Sequence, residues 1–122
     1  MILVDTSVWI DHLRTGDPLL TDLLNSNRVL VHPFVTGELA CGNLKNRKIV
    51  LSLLQDLPTA HVATDSEVLF FIERHELMGQ GICYIDAHLL AAVVLDGTAQ
   101  LWTRDKRLCS VAETLKLTFK VM

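Results

Sequence analysis

Four carboxylates stand out by their surroundings. Asp5 ends the apolar run "MILV" and is followed by Thr6 and Ser7. Glu38 lies among Val35, Leu39 and Ala40, and Asp86 opens the apolar stretch "YIDAHLLAAVVLDG" behind "GQGIC". Asp105 follows "LWT", with Thr103 two residues before it and Arg104 between them. A single acid in such a place has a bland use: Asp5 can cap a helix that starts at Ser7, and Asp86 can cap the helix it opens. The set is harder to dismiss. Carboxylates gathered in apolar surroundings repel one another unless they are protonated or bridged by cations, so the four together call for a divalent metal and, without one, for a retained proton. The ligands are oxygens, and the five histidines show no metal-ligand spacing, which favours Mg²⁺ or Mn²⁺ over zinc. Such ions bind phosphate oxygens readily. Thr6, Ser7 and Thr103 add hydroxyls suited to orienting a carboxylate, a water or a phosphate, although each alone is commonly a cap or turn residue.

The elements that must position these side chains follow from the hydrophobic pattern. Strand-length apolar runs, "MILV", "RVLVH", "AHVA", "AQLWT" and "LTFKV", alternate with helix-period segments, and no repeat or linker breaks the series. Pro18 and Pro33 stand at first helical positions, Gly42 and Gly97 at helix ends, and Asp65 or Ser66 is the expected cap of "EVLFFIERHEL". About five strands alternating with helices imply an α/β sandwich, a parallel sheet with helices on both sides. Ligands of open parallel sheets bind beyond the carboxyl ends of the strands. Asp5 and Asp105 both hold such positions, and they share one crevice if their strands are neighbours.

Half of the 122 residues are hydrophobic and a fifth charged, which suits one compact domain over residues 1–122 that needs no disulfide or structural metal. No apolar run approaches the roughly 18 to 20 residues that cross a bilayer, and no basic region precedes the first one, so a soluble, cytoplasmic protein with no membrane partner is expected. Cys41, Cys83 and Cys109 are odd in number, widely spaced and read as small buried hydrophobes in a reducing compartment. The formal charge of −3 argues at first against a polyanionic partner. If four of the 14 acids serve a metal, however, 11 basic residues face 10 acidic ones. The clusters "KNRK" and "RDKR" are by default solvated faces, and Trp9 and Trp102 are by default core. Val68, Leu69, Ile72 and Leu77 fit one helical face. Phe70 and Phe71 are adjacent and so point about 100° apart, which sends one of them toward another chain.

In order and spacing, "ILVDTSVWIDHLR", "GELACG", "GICYIDAHLLAAVVLDG" and "LWTRDKRL" resemble the PIN-domain ribonucleases of the VapC toxin type, over nearly the whole chain. The resemblance implies a PIN-like three-layer sandwich and an endoribonuclease dependent on Mg²⁺ or Mn²⁺. It also implies a cognate antitoxin and a homodimer with a groove for the antitoxin's apolar C-terminal segment. Carried onto this chain, the metal-binding and catalytic acids are Asp5, Glu38, Asp86 and Asp105. Thr6, Ser7, Thr103 and Arg104 would orient the RNA, and Arg104, Lys106 and the Lys45 to Lys48 cluster would hold flanking phosphates. Leu108 departs from the aromatic residue frequent in that family, a difference of packing. Two other classes compete. An aspartyl-phosphate enzyme also places Asp after its first strand, but "DTS" lacks the second acid of an Asp-x-Asp signature. A catalytically inert PIN-like binding module should lack acids that are all present here.

Overall fold

The computed structural model describes residues 1–121. In chain order the elements are β1 (Ile2–Val4), α1 (Thr6–Thr15), α2 (Pro18–Asn25), β2 (Val29–Leu30), α3 (Pro33–Ala40), α4 (Arg47–Asp56), α5 (Asp65–Arg74), α6 (Tyr84–Asp96), β3 (Gln100–Trp102) and α7 (Lys106–Thr114). The sheet is parallel, in the order β2-β1-β3. β1 is its centre because Ile2, Leu3 and Val4 are apolar without a break and are buried on both faces. Each such side chain contributes about 2 kcal/mol by leaving water.

Three strands form where about five were expected; in place of the other two are single bridges at the two edges, one at Thr59, just ahead of "AHVA", and one at Thr118 within "LTFKV". Thr59 pairs with Val31 and Thr118 with Leu101, both parallel. Val31 N–H donates to Pro58 O at 2.9 Å and receives Ala60 N–H on its own carbonyl at 2.8 Å; Leu117 O and Phe119 N–H hold Leu101 in the same way. Each edge segment thus meets the sheet through one residue. Pro58, which lacks an amide proton, limits how far the first of them can pair.

Helices flank this sheet. α1 packs with α3, α3 with α4, α5 with α6, and α6 against β3. Every residue of α6 from Ala87 to Val93 is buried, so small and branched apolar side chains surround the helix where an amphipathic stripe would otherwise be expected. Asp17 caps α2, accepting Leu20 N–H at 3.0 Å with Pro18 at the first helical position, and His32 does the same for α3 through Phe34 N–H at 3.0 Å. Gly97 ends α6 at φ +84°, a left-handed turn that glycine alone adopts freely.

Three expectations need correction. The cap of α5 is Thr64 rather than Asp65 or Ser66, in a capping box with Glu67. Phe71 takes the core position assigned to Leu69, which is exposed, while Val68 and Leu77 are buried as expected. The cysteines are not buried hydrophobes: Cys41 and Cys83 are exposed and Cys109 is half-buried. Trp9 and Trp102 do lie in the core, as does Leu108. No described helix is long and apolar enough to cross a membrane.

Candidate active site

β1 and β3 are neighbours, so the chain segments leaving their carboxyl ends start side by side. Asp5 N–H donates to Trp102 O at 2.9 Å, the last link of that pairing. Asp5 stands at the N-cap position of α1 but makes no capping bond with its side chain. Its carboxylate is buried and takes two hydroxyls instead, Thr103 Oγ1 at 2.7 Å and Ser7 Oγ at 2.9 Å. Thr103 Oγ1 also accepts Asp105 N–H at 3.1 Å, and Ser7 Oγ accepts Arg104 N–H at 3.0 Å. The two hydroxyls therefore tie the segment after β3 to the segment after β1.

The other acids join this centre to different degrees. Thr6 Oγ1 donates to Glu38 Oε1 at 2.8 Å, which draws the exposed Glu38 from α3 to the residue next to Asp5. Asp105 is exposed and caps α7, with Oδ1 accepting the amides of Arg107 and Leu108 at 2.9 and 3.0 Å. Asp86 is half-buried in the first turn of α6 and accepts Cys83 N–H on Oδ2 at 3.1 Å. Burial pushes the Asp86 carboxyl above the usual carboxylate range; the Cys83 contact opposes this, and the charges of Asp5 and Asp105 add to it. That repulsion is the mark of carboxylates within electrostatic reach of one another. Only Asp5 of the four is fully buried, so the expectation that all four sit in apolar surroundings holds for Asp5 and in part for Asp86.

Each of the four carboxylates has one oxygen committed and one free. The protein's donors meet Oδ2 of Asp5, Oε1 of Glu38, Oδ2 of Asp86 and Oδ1 of Asp105, and among the described residues none meets the second oxygen. As they stand, no three His, Cys, Asp or Glu side chains among the described residues converge closely enough to form a ready coordination shell. The donor set nevertheless fits a hard divalent ion by its chemistry: oxygen ligands, one free lone-pair face on each, and like charges in mutual range that a cation would neutralise.

Arg104, expected to face the RNA, is engaged within the fold. Its guanidinium is paired with Asp11 at 2.7 Å and with Asp17, and it lies 5.6 Å from the centre of the Trp102 ring. These partners lie 93 and 87 residues away in sequence, and no local spacing could have announced them. Arg47, from the "KNRK" cluster, is likewise engaged, donating to the carbonyls of Ala40, the last residue of α3, and of Gly42 just after it. Beside Glu38 a groove of about 840 Å³ runs between α1 and the α3–α4 connection. Ile10, Leu13, Leu44 and Val50 line it, and Arg14 and Lys45 add positive charge.

Sequence comparison gives this arrangement a context. Residues 2–114 match the PIN domain family. Over 108 residues, 88% of this chain and 87% of the relative, the sequence is 52% identical to Ribonuclease VapC32 of Mycobacterium tuberculosis, found in two strains. Among solved structures, FitAcB from Neisseria gonorrhoeae superposes with a TM-score of 0.64 at 19% identity, over 93% of this chain and 94% of that one. FitAB bound to an IR36 DNA fragment superposes with a TM-score of 0.61 at 17% identity, over 93% and 91%. At such identities the structural likeness concerns the fold alone.

Proposed function

This chain belongs to the VapC-type PIN-domain family, and from that premise we propose that it is a divalent-metal-dependent endoribonuclease, the toxin of a cytoplasmic toxin–antitoxin pair. The observation that carries the reading is the set of four carboxylates around the ends of β1 and β3, each with one oxygen anchored and one free. Asp5, Glu38, Asp86 and Asp105 would hold Mg²⁺ or Mn²⁺. Bound there, the ion supplies Lewis-acid activation of water and neutralises charge on the phosphodiester. The protein's own part is positional. Ser7 and Thr103 fix Asp5 at the mouth of a buried strand, Thr6 holds Glu38, and the cap of α7 holds Asp105. Losing its proton is what readies Asp86 for a cation, so assembly of the site is favoured as pH rises. No nucleophilic side chain is needed, and nothing in "DTS" offers the second acid of a phosphotransferase.

Purified protein should cleave single-stranded RNA with Mg²⁺ or Mn²⁺, read as new 5′ ends after incubation with total cellular RNA. EDTA should abolish the cleavage. Undiminished cutting in EDTA, or a requirement for zinc, would sink the reading.

Two further contacts belong to it. The groove beside Glu38 suits the antitoxin's apolar segment, because its apolar walls run directly to a catalytic acid and an occupant would block the RNA. The outer face of α5 and α6 suits a second copy of the chain: Phe70 is 66% exposed while its neighbour Phe71 is buried, and Val94 and Leu95 extend the apolar patch. Sedimentation of wild type and Phe70→Glu, each alone and with antitoxin, separates the two. The variant should have half the wild-type mass yet still bind antitoxin. Unchanged mass would refute the dimer face, and lost antitoxin binding would refute the groove.

A further inference from the structure

Arg107 is a guanidinium beside the site that no acid holds. Arg104 is committed to Asp11 and Asp17 and Arg47 to backbone carbonyls, whereas the Arg107 side chain has no hydrogen bond or ion pair among the described residues. It sits in the first turn of α7, its own amide bound by Asp105. From there the side chain crosses to the loop before α6. A Cβ on Gly81 would lie 2.6 Å from Arg107 Cδ and 2.9 Å from its Nη1, so the arginine stem occupies the notch left by the missing side chain. Gly81, at φ +81°, is two residues from Cys83, whose amide anchors Asp86. The arginine thus bridges the two segments that carry Asp86 and Asp105 and pairs with neither acid.

A positive charge seated at the rim of a carboxylate cluster, exposed and not neutralised by it, is free to meet a second anion. The planar guanidinium suits a phosphate, whose oxygens it can meet through two parallel hydrogen bonds. We propose that Arg107, seated on Gly81, binds a backbone phosphate of the RNA next to the one that is cut; this rests on the ribonuclease reading above. The contact is made to the strand in the ground state, independent of base identity, and so governs capture more than the chemical step.

The competing role for Arg107 is mechanical, a stem that props the loop at Gly81. Arg107→Met keeps an unbranched stem and removes the charge, and Arg107→Lys keeps the charge. Single-turnover cleavage of an RNA fragment that wild type cuts, followed against protein concentration and salt, tells the two roles apart. For Arg107→Met the half-saturating concentration should rise about tenfold, and the slope of log affinity against log salt should fall by about one, with maximal rate and melting temperature kept. Arg107→Lys should recover most of the affinity. Wild-type affinity and salt slope in Arg107→Met would overturn the assignment and leave the ribonuclease reading intact. A wild type that cuts no RNA would overturn both.

Discussion

An Asp86→Asn protein is expected to lose RNA cleavage by about a thousandfold or more and, with no metal present, to be more stable than its parent at neutral pH. The two effects come from one oxygen. Asparagine keeps the volume of the side chain and an acceptor for Cys83 N–H, so the start of α6 is preserved. What it removes is a charge that burial, Asp5 and Asp105 all disfavour. Because the folded-state pKa of Asp86 lies above its ordinary value of 3.8, its stability contribution is full below that value and is lost as pH rises through the folded pKa. The variant has no such loss. Urea midpoints in EDTA should therefore coincide for the two proteins below pH 3.8 and separate in favour of the variant as pH rises. Saturating Mg²⁺ should narrow the gap or reverse it, since the ion binds the parent's folded state more tightly. A variant less stable than its parent in EDTA at pH 7 would refute the crowding of charge, and a variant that still cut RNA would remove Asp86 from the chemistry.

Acid should destabilise the fold through a different residue, His32, by about 3 kcal/mol between pH 6.5 and pH 4. His32 ends the β2 segment and is fully buried; its Nδ1 accepts Phe34 N–H, so the neutral ring carries its proton on Nε2, which has no partner. It packs against Phe34 at 5.1 Å and faces the buried His88 of α6 with ring centres 6.2 Å apart. Beyond His88 stand Tyr84 and the exposed Asp65, whose carboxylate lies 3.5 Å from His88 Nε2. Burial first, and the charge of His88 second, push His32 down from 6.5 to about 4. The folded state keeps this ring neutral while the unfolded chain takes a proton below about 6.5. Stability is thus fully present above that pH, falls as pH drops toward 4, and levels off once both states are protonated. Ring proton signals in NMR should show one histidine titrating near 4 with the loss of stability alongside it. A His32 signal that titrates near 6.5 would refute the account.

Much of this was legible in the sequence because some residues have only one comfortable use. "MILV" can be buried on both faces only as a central strand, and its pairing with β3 brings Asp5 and Thr103 within a hydrogen bond. Pro18, Pro33 and Gly97 mark helix ends by backbone chemistry alone. Other features were decided by competition that a string of letters does not resolve. Thr64, Asp65 and Ser66 are all good caps, and the entry of the chain into α5 chose Thr64. Leu69 and Phe71 are both apolar, and the phase of the helix against α6 buried Phe71. The edge segments reach the sheet with one residue each because Pro58 and a short final run leave little to pair. Arg104 looked like a phosphate contact from "TRD"; its real partners come from the other end of the chain.

That last pairing bears on how the protein is made. The centre of the sheet is the first strand synthesised, and one of its two edges waits for residues 100–102. Asp5 waits for Thr103, and Asp11 and Asp17 for Arg104. A nascent chain can fold its early helices at 5 to 20 residues per second, in rough terms, as it leaves the ribosome. It cannot hold Asp5 or bring in Asp105 until residues 103–105 have been made. In any chain that stops short of β3, Asp5 therefore lacks one of its two hydroxyl partners and Asp105 is absent, so the carboxylate cluster stays unassembled until the segment after β3 is in place.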